Sequence, residues 1–227
     1  SKEGLANLAS AITSKGDIIL VPNPSYPIHP YGFLIAGALV KSIKMAEEEK
    51  FLKDLLKKVN KYKTKIKAVI INYPNNPTTK TVDLYFYKEL VKICRKNNIW
   101  ILSDLAYAEI YFTENPPPSI LQVKNAKDIA VEFTSMSKTF NMPGWRIGYA
   151  SGNKLLIAAL ARIKSYLDYG AFTPIQVAAT AALNGPQSYI EDIRKIYKSR
   201  RDVLVNAMRR SGWIIPVPEA TMFAWAP

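Results

Sequence analysis

The chain has 227 residues, 48% of them hydrophobic, a formal net charge of +13, and one cysteine. That is enough apolar material for a substantial core, and the ordinary glycine and proline content excludes disordered and fibrous classes. No run of ~18 apolar residues is present to span a bilayer, and the lone Cys94, which cannot form an internal disulfide, reads as a core residue and fits a reducing cytoplasm. The basic residues are dispersed, as in Lys57, Lys58, Lys61, Lys63, Lys65 and Lys67 and again from Arg194 to Arg210. They read as solvated helix faces, so anionic small molecules match the charge better than a nucleic acid.

Ser1-Lys2-Glu3-Gly4 reads as neither a signal peptide nor an initiator methionine. It leads into a helical pattern over Leu5 to Ile12, whose free N–H groups at the start form a natural phosphate cradle. After a turn at Lys15-Gly16-Asp17, Ile18 to Pro22 is a short buried strand. Asn23-Pro24-Ser25-Tyr26-Pro27 follows as a turn in which prolines stiffen Tyr26, a ring that either stacks on a flat ligand or packs. His29 is the single histidine and has no carboxylate or cysteine motif around it. It reads as structural, which excludes a histidine-based metal site and an ordinary Ser-His-Asp triad.

The spacing predicts a helix over Tyr31 to Ala38, a strand over Leu39 to Ile43, and an amphipathic helix over Glu47 to Val59 with Phe51, Leu52, Leu55 and Leu56 on its apolar face. Ala68 to Ile71 is a buried strand that ends in Asn72-Tyr73-Pro74-Asn75-Asn76-Pro77-Thr78, a turn that projects the Asn76 amide. Asp83 caps a helix to about Asn97, and Ile99 to Asp104 is the next strand. An acid that ends an apolar strand is desolvated unless a cation pairs with it, so Asp104 is a candidate site residue, with Tyr107 beside it on the following turn.

A proline-rich loop spans Glu114 to Ser119, and Asp128 to Thr134 is a strand that enters Ser135-Met136-Ser137-Lys138-Thr139. Lys138 lies in a Ser/Thr/Asn/Gly-rich loop with Arg146 eight residues on, a combination that by itself reads either as an ordinary surface lysine or as an aldehyde-binding amine beside a phosphate site. Ile147 to Ala150 reads as the next strand. Helices follow over Asn153 to Tyr166, Pro174 to Leu183 and Gln187 to Arg210, the last ended by Gly212. Trp213 to Val217 and Met222 to Trp225 are expected to be two strands of a new layer.

Strands alternating with helices indicate a three-layer α/β/α domain with a mainly parallel sheet covered on both faces. Tyr26, Asn76, Asp104 and Ser135/Lys138 all fall at carboxyl ends of strands, where open α/β sheets bind ligands. No Gly-x-Gly-x-x-Gly or Walker loop is present, which argues against nucleotide sites of those kinds.

Taken together, Asn76-Pro77-Thr78, Asp104-x-x-Tyr107 and Ser135-x-Ser137-Lys138 with Arg146 resemble the fold-type I, class I/II aminotransferases that use pyridoxal 5′-phosphate. Ser1-Lys2-Glu3-Gly4, Val21-Pro22-Asn23-Pro24-Ser25-Tyr26-Pro27-Ile28-His29 and Asn141-Met142-Pro143-Gly144-Trp145-Arg146-Ile147-Gly148 narrow the resemblance to the branch with bacterial glutamate–pyruvate (alanine) transaminases. LL-diaminopimelate aminotransferases lie near that branch.

The resemblance implies that Lys138 binds the cofactor aldehyde covalently and later moves the proton between the substrate Cα and the cofactor C4′. It implies that Asp104 pairs with the protonated pyridine nitrogen, that Asn76 and Tyr107 bond the ring oxygen, and that Tyr26 stacks on the ring. Arg146, Ser135 and the N–H groups of Ser1 and Lys2 would hold the phosphate. Ser137 enters only as a supporting partner.

The implied reaction is ping-pong transfer of an amino group between an L-amino acid and a 2-oxo acid, first alanine and glutamate with pyruvate and 2-oxoglutarate. Aspartate or LL-diaminopimelate as substrate, a C–S lyase on the same constellation, and an aminotransferase-like regulator domain are the alternatives. A homodimer is also implied. Two departures from the family pattern stand out. Thr79 occupies a place where many relatives have glycine. The chain also looks like a fragment: an incomplete large domain over 1–186, an interdomain helix over 187–211 and the start of a truncated small domain over 212–227. Such a piece alone is expected to transaminate poorly.

Overall fold

A computed structural model describes residues 1–45 and 47–226. The apolar runs form one six-stranded sheet from β1 (Ile18–Asn23), β2 (Leu39–Lys44), β3 (Ile66–Ile71), β4 (Trp100–Asp104), β5 (Ala130–Ser135) and β6 (Gly148–Gly152). Their spatial order is β2-β1-β3-β4-β5-β6. The first five run parallel, and β6 returns antiparallel to β5, pairing Ser135 with Gly148 and Val131 with Gly152.

The two-residue period of a strand sends alternate side chains to opposite faces. In β3, Val69 and Ile71 join Phe51, Leu55, Phe86 and Leu90 on one face. Ala68 and Ile70 join Leu5, Leu8, Phe33 and Leu156 on the other. The first face is covered by α3 (Glu48–Tyr62) and α4 (Leu84–Lys96), the second by α1 (Lys2–Ile12), α2 (Ile28–Ile35) and α6 (Lys154–Leu167). Each fully buried Leu, Ile or Phe contributes about 1.5–3 kcal/mol, so this two-sided burial dominates the stability. Cys94 is one of these buried residues, as anticipated.

Local signals set several boundaries. Asp83 accepts the Phe86 N–H at 2.8 Å and starts α4. Asn153 accepts the N–H groups of Leu155 and Leu156 and starts α6. Beyond it lie α7 (Thr173–Asn184) and α8 (Ser188–Arg210), and Gly212, at φ +84°, follows the last turn of α8. No described helix is long and apolar enough to cross a membrane.

Four expectations need correction. The helix placed at Tyr31 to Ala38 is α2, which starts at Ile28 because Pro30 is tolerated in a first turn and ends before Gly37, at φ +89°. Lys138 lies in the one-turn helix α5 (Met136–Thr139), capped by Ser135, rather than in a loop. The strand placed at Ile147 to Ala150 is β6, which runs on to Gly152 along β5. The two strands expected at Trp213 to Val217 and Met222 to Trp225 do not form. Apolar alternation makes a strand only where a partner strand lies alongside. This segment has one isolated antiparallel bridge, between Tyr111 and Ala220.

Candidate cofactor site

Parallel strands deliver their last residues to one edge, and the site is built there. Tyr26 follows β1, Asn76 follows β3, Asp104 ends β4, Ser135 ends β5 and Arg146 precedes the antiparallel β6. All nine residues singled out in the sequence line one cleft of about 240 Å³: Ser1, Lys2, Tyr26, Asn76, Asp104, Tyr107, Ser135, Lys138 and Arg146. Asn72, Ala106 and Ser137 complete its wall. The cleft adjoins a larger cavity of about 550 Å³ that shares Ser1, Lys2, Ser135, Ser137 and Arg146.

The cationic end is formed by the start of α1, by Lys138 and by Arg146. Gly148 lets α1 approach: a Cβ there would lie 3.2 Å from the Ser1 nitrogen and collide with the Thr134 carbonyl. The Ser135 side chain accepts the Ser137 N–H at 3.2 Å, which fixes the turn that carries Lys138. Arg146 sits at φ +53° and donates from Nη1 to the Pro143 carbonyl at 2.6 Å. Lys2 Nζ lies 5.1 Å from the centre of the Tyr26 ring.

The acidic end is Asp104, only 4% exposed. Its Oδ2 accepts from His29 Nε2 at 3.0 Å, and His29 is fully buried. A carboxylate can only accept, so this contact places the proton on Nε2. Oδ1 of Asp104 is buried with no partner among the described residues. A buried acceptor left unpaired is costly, and Asp104 lines the cleft, so the geometry leaves room for a donor on that oxygen. Tyr107 stands close by. Burial, and then the negative charge of Asp104, push its hydroxyl well above the ordinary tyrosine range, with the Asn76 amide acting in the opposite sense. Tyr107 therefore stays a neutral O–H donor at physiological pH.

Asn72 ties the parts together. Its Nδ2 donates to the Asp104 carbonyl at 2.7 Å and to the Pro74 carbonyl at 3.3 Å, and its Oδ1 accepts the Asn76 N–H at 2.9 Å. Asn75 adds a second lock, its Oδ1 accepting from Thr78 N–H and Oγ1 at 2.9 and 2.7 Å.

Sequence reasoning missed two of these residues. His29, taken as merely structural, is the partner that the desolvated Asp104 requires. The signal was present: a buried acid needed a partner, and the chain has one histidine, three residues after Tyr26. Asn72 was passed over as part of a turn, although it ends an apolar run as Asp104 does.

The sequence model of the family "Aminotransferase class I and II" matches residues 1–227. This chain belongs to that family. It is 58% identical over 226 residues to AatC of Rhizobium meliloti, covering all of this chain and 56% of that protein. It is 50% identical over 226 residues to the glutamate-pyruvate aminotransferase AlaC of Escherichia coli K12, covering all of this chain and 55% of that protein. The solved structure of apo BacF from Bacillus subtilis superposes with a TM-score of 0.95 at 36% identity, across all of this chain and 57% of that one. The chain thus spans a little over half the length of the relatives it matches.

Enzymes of this family depend on pyridoxal 5′-phosphate, and the residues present fit that group. The unpaired Asp104 Oδ1 suits a protonated ring nitrogen, and the α1 start with Arg146 suits a phosphate. The half-buried Lys138 amine opens into the same cleft.

Proposed function

We propose that the protein carrying this chain is an aminotransferase that moves an amino group between an L-amino acid and a 2-oxo acid. Its first pair is alanine and glutamate with pyruvate and 2-oxoglutarate. The observation that carries this reading is the buried, unpaired Asp104 Oδ1 in the cleft that also holds Lys138 and Arg146. When bound, pyridoxal 5′-phosphate supplies an aldehyde that takes up amino groups and a ring that draws electrons from the substrate Cα.

The residues of the chain supply the rest. Asp104, held by His29 and Asn72, would pair with a protonated ring nitrogen. Asn76 and Tyr107 would donate to the ring oxygen, and Tyr26 would pack on the ring. Arg146, Ser135 and the N–H groups of Ser1 and Lys2 would hold the phosphate. Lys138 Nζ would anchor the cofactor and serve as the base and acid for the proton at the substrate Cα.

Asp104 and Lys138 would serve any fold-type I activity alike, so on this reading the choice between alanine, aspartate and LL-diaminopimelate rests on substrate contacts outside this cleft. The reading further includes a homodimer in the cytoplasm. It divides the chain into large-domain residues 1–186, an interdomain helix over 187–211 and the beginning of a small domain.

The test is an absorbance spectrum of the full-length protein with pyridoxal 5′-phosphate beside its Lys138→Ala variant, followed by a screen of amino-acid donors. A visible or near-ultraviolet band that depends on Lys138, with 2-oxo acid–dependent product formation, is the expected result. Absence of a Lys138-dependent band overturns the reading. Release of pyruvate, ammonia and thiol from cystathionine, without transamination, would assign a C–S lyase instead.

A further inference from the structure

Beyond α8 the chain leaves the sheet, yet it comes back to the site. Thr221 N donates to the Ile110 carbonyl at 2.7 Å, and Phe112 N donates to the Glu219 carbonyl at 2.8 Å. These bonds flank the Tyr111–Ala220 bridge and tie the segment to the loop that begins at Tyr107. Thr81 Oγ1 donates to Glu219 Oε2 at 2.6 Å. Helix α8 adds two clamps. Arg194 donates to the Glu109 carbonyl and carboxylate at 3.1 and 3.2 Å and lies 3.9 Å from the Tyr111 ring centre. Arg201 donates to the Pro218 carbonyl at 3.1 Å and lies 4.6 Å from the Phe112 ring centre.

A segment held so firmly presents its next side chains in fixed directions. Thr221, at φ +70°, turns the backbone, and its Oγ1 accepts the Phe223 N–H at 3.2 Å. The Phe223 ring then meets the Tyr107 ring edge-to-face, with centroids 5.6 Å apart and planes at 71°. That is a favourable aromatic geometry. The Tyr107 phenol is thus set between Phe223 and the wall shared by Asn76 and Asp104.

We propose that Phe223 is a positioning residue for the cofactor site: its ring holds Tyr107 in the orientation from which the phenol reaches the cofactor's ring oxygen. The inference rests on the reading of Tyr107 as a donor to pyridoxal 5′-phosphate. It makes the segment after α8, far from Lys138 in sequence, part of what determines cofactor affinity. An edge-to-face pair of this kind corresponds to an effect of roughly two- to tenfold on an equilibrium.

The experiment uses the full-length protein and two readouts that need no turnover. One is cofactor affinity, titrated through the Lys138-dependent absorption band; the other is the pH midpoint of that band. Phe223→Leu is expected to weaken binding roughly two- to tenfold. A phenol O–H donated to the ring oxygen favours that oxygen's negatively charged form and so lowers the midpoint, so the variant should also move the midpoint upward, by less than Tyr107→Phe does. Phe223→Tyr, which keeps the ring, should restore both. Met222→Ala, an exposed neighbour in the same segment, should change neither.

Combined with Tyr107→Phe, the Phe223→Leu change should have almost no further effect, because the hydroxyl it positions is gone. Wild-type affinity and midpoint in Phe223→Leu would overturn the proposal. So would an effect that persists at full size in the Tyr107→Phe background, since that marks general packing. Phe223→Met, which keeps bulk without the aromatic edge, replaces the leucine variant if the latter does not accumulate. A wild-type protein with no Lys138-dependent band would fail the cofactor reading itself, and the inference with it. A normal band with an indifferent Phe223 rejects the inference alone.

Discussion

His29 Nε2 and Asp104 Oδ2 lie 3.0 Å apart although 75 residues separate them in the chain. The pair joins the first turn of α2 to the end of β4, and it leaves the other carboxylate oxygen as the free acceptor of the cleft. His29 also meets the Tyr26 ring at 78°, with centroids 6.0 Å apart, so the histidine connects the acid to the stacking ring.

Replacing His29 with alanine strands both Asp104 carboxylate oxygens in a buried setting, a cost of about 1–3 kcal/mol. Without the imidazole the carboxylate also loses the contact that fixes its orientation toward the cleft, which would weaken its pairing with a cofactor ring nitrogen. His29→Ala is expected to lower cofactor affinity roughly tenfold or more by that route, measured by titration of the absorption band. Affinity equal to wild type would show that Asp104 needs no partner.

Asn72 is 1% exposed and serves Asp104 and Asn76 at once. Asn72→Ala leaves a buried carbonyl and an N–H group without their partner. The expected cost is about 1–3 kcal/mol in urea denaturation, with weaker cofactor binding in the same variant. An unchanged denaturation midpoint would mean that water replaces the amide.

Glu132 is a buried carboxylate on the sheet face opposite Asp104, bonded by Ser103 Oγ at 3.1 Å, Ser119 Oγ at 2.6 Å and Ile120 N at 3.2 Å. Burial raises its pKa above the ordinary 4.5, although those three hydrogen bonds oppose the shift. The folded protein therefore holds this proton to higher pH than the unfolded chain does. The stability contribution is fully present below pH 4.5 and declines as pH rises through the folded value. Glu132→Gln can keep the three bonds without the charge, so it should flatten that decline. Parallel stability–pH curves for variant and wild type would contradict this.

Thr79 is a β-branched residue at φ +65°, the left-handed region that favours glycine. A glycine, which the resemblance leads one to expect at this place, would adopt that conformation without strain. Thr79→Gly removes a strain of about 1–2 kcal/mol and adds back some unfolded-chain entropy. The expected net gain is about 0.5–1 kcal/mol, visible as a higher melting temperature. A lower one would show that the threonine side chain contributes packing that outweighs the strain.

Much of this protein is determined by local pattern. The buried strands, the caps at Asp83 and Asn153, and the stop at Gly212 follow from hydrophobic period and single-residue backbone preferences. Of the nine residues singled out, Tyr26, Asn76, Asp104, Ser135 and Lys138 were legible because they lie at or just past the ends of apolar runs, which parallel pairing brings to one edge. Ser1 and Lys2 were legible because they start a helix, whereas Tyr107 and Arg146 were legible by their spacing from Asp104 and Lys138. Only the tertiary structure decided what surrounds them. His29 on Asp104, Asn72 across two strand ends and Phe223 against Tyr107 are contacts over long sequence separations, which no local periodicity encodes. The same reason undoes the expected strands after Trp213: side-chain alternation is a property of the chain, but a strand also needs a neighbour, and only the fold supplies one.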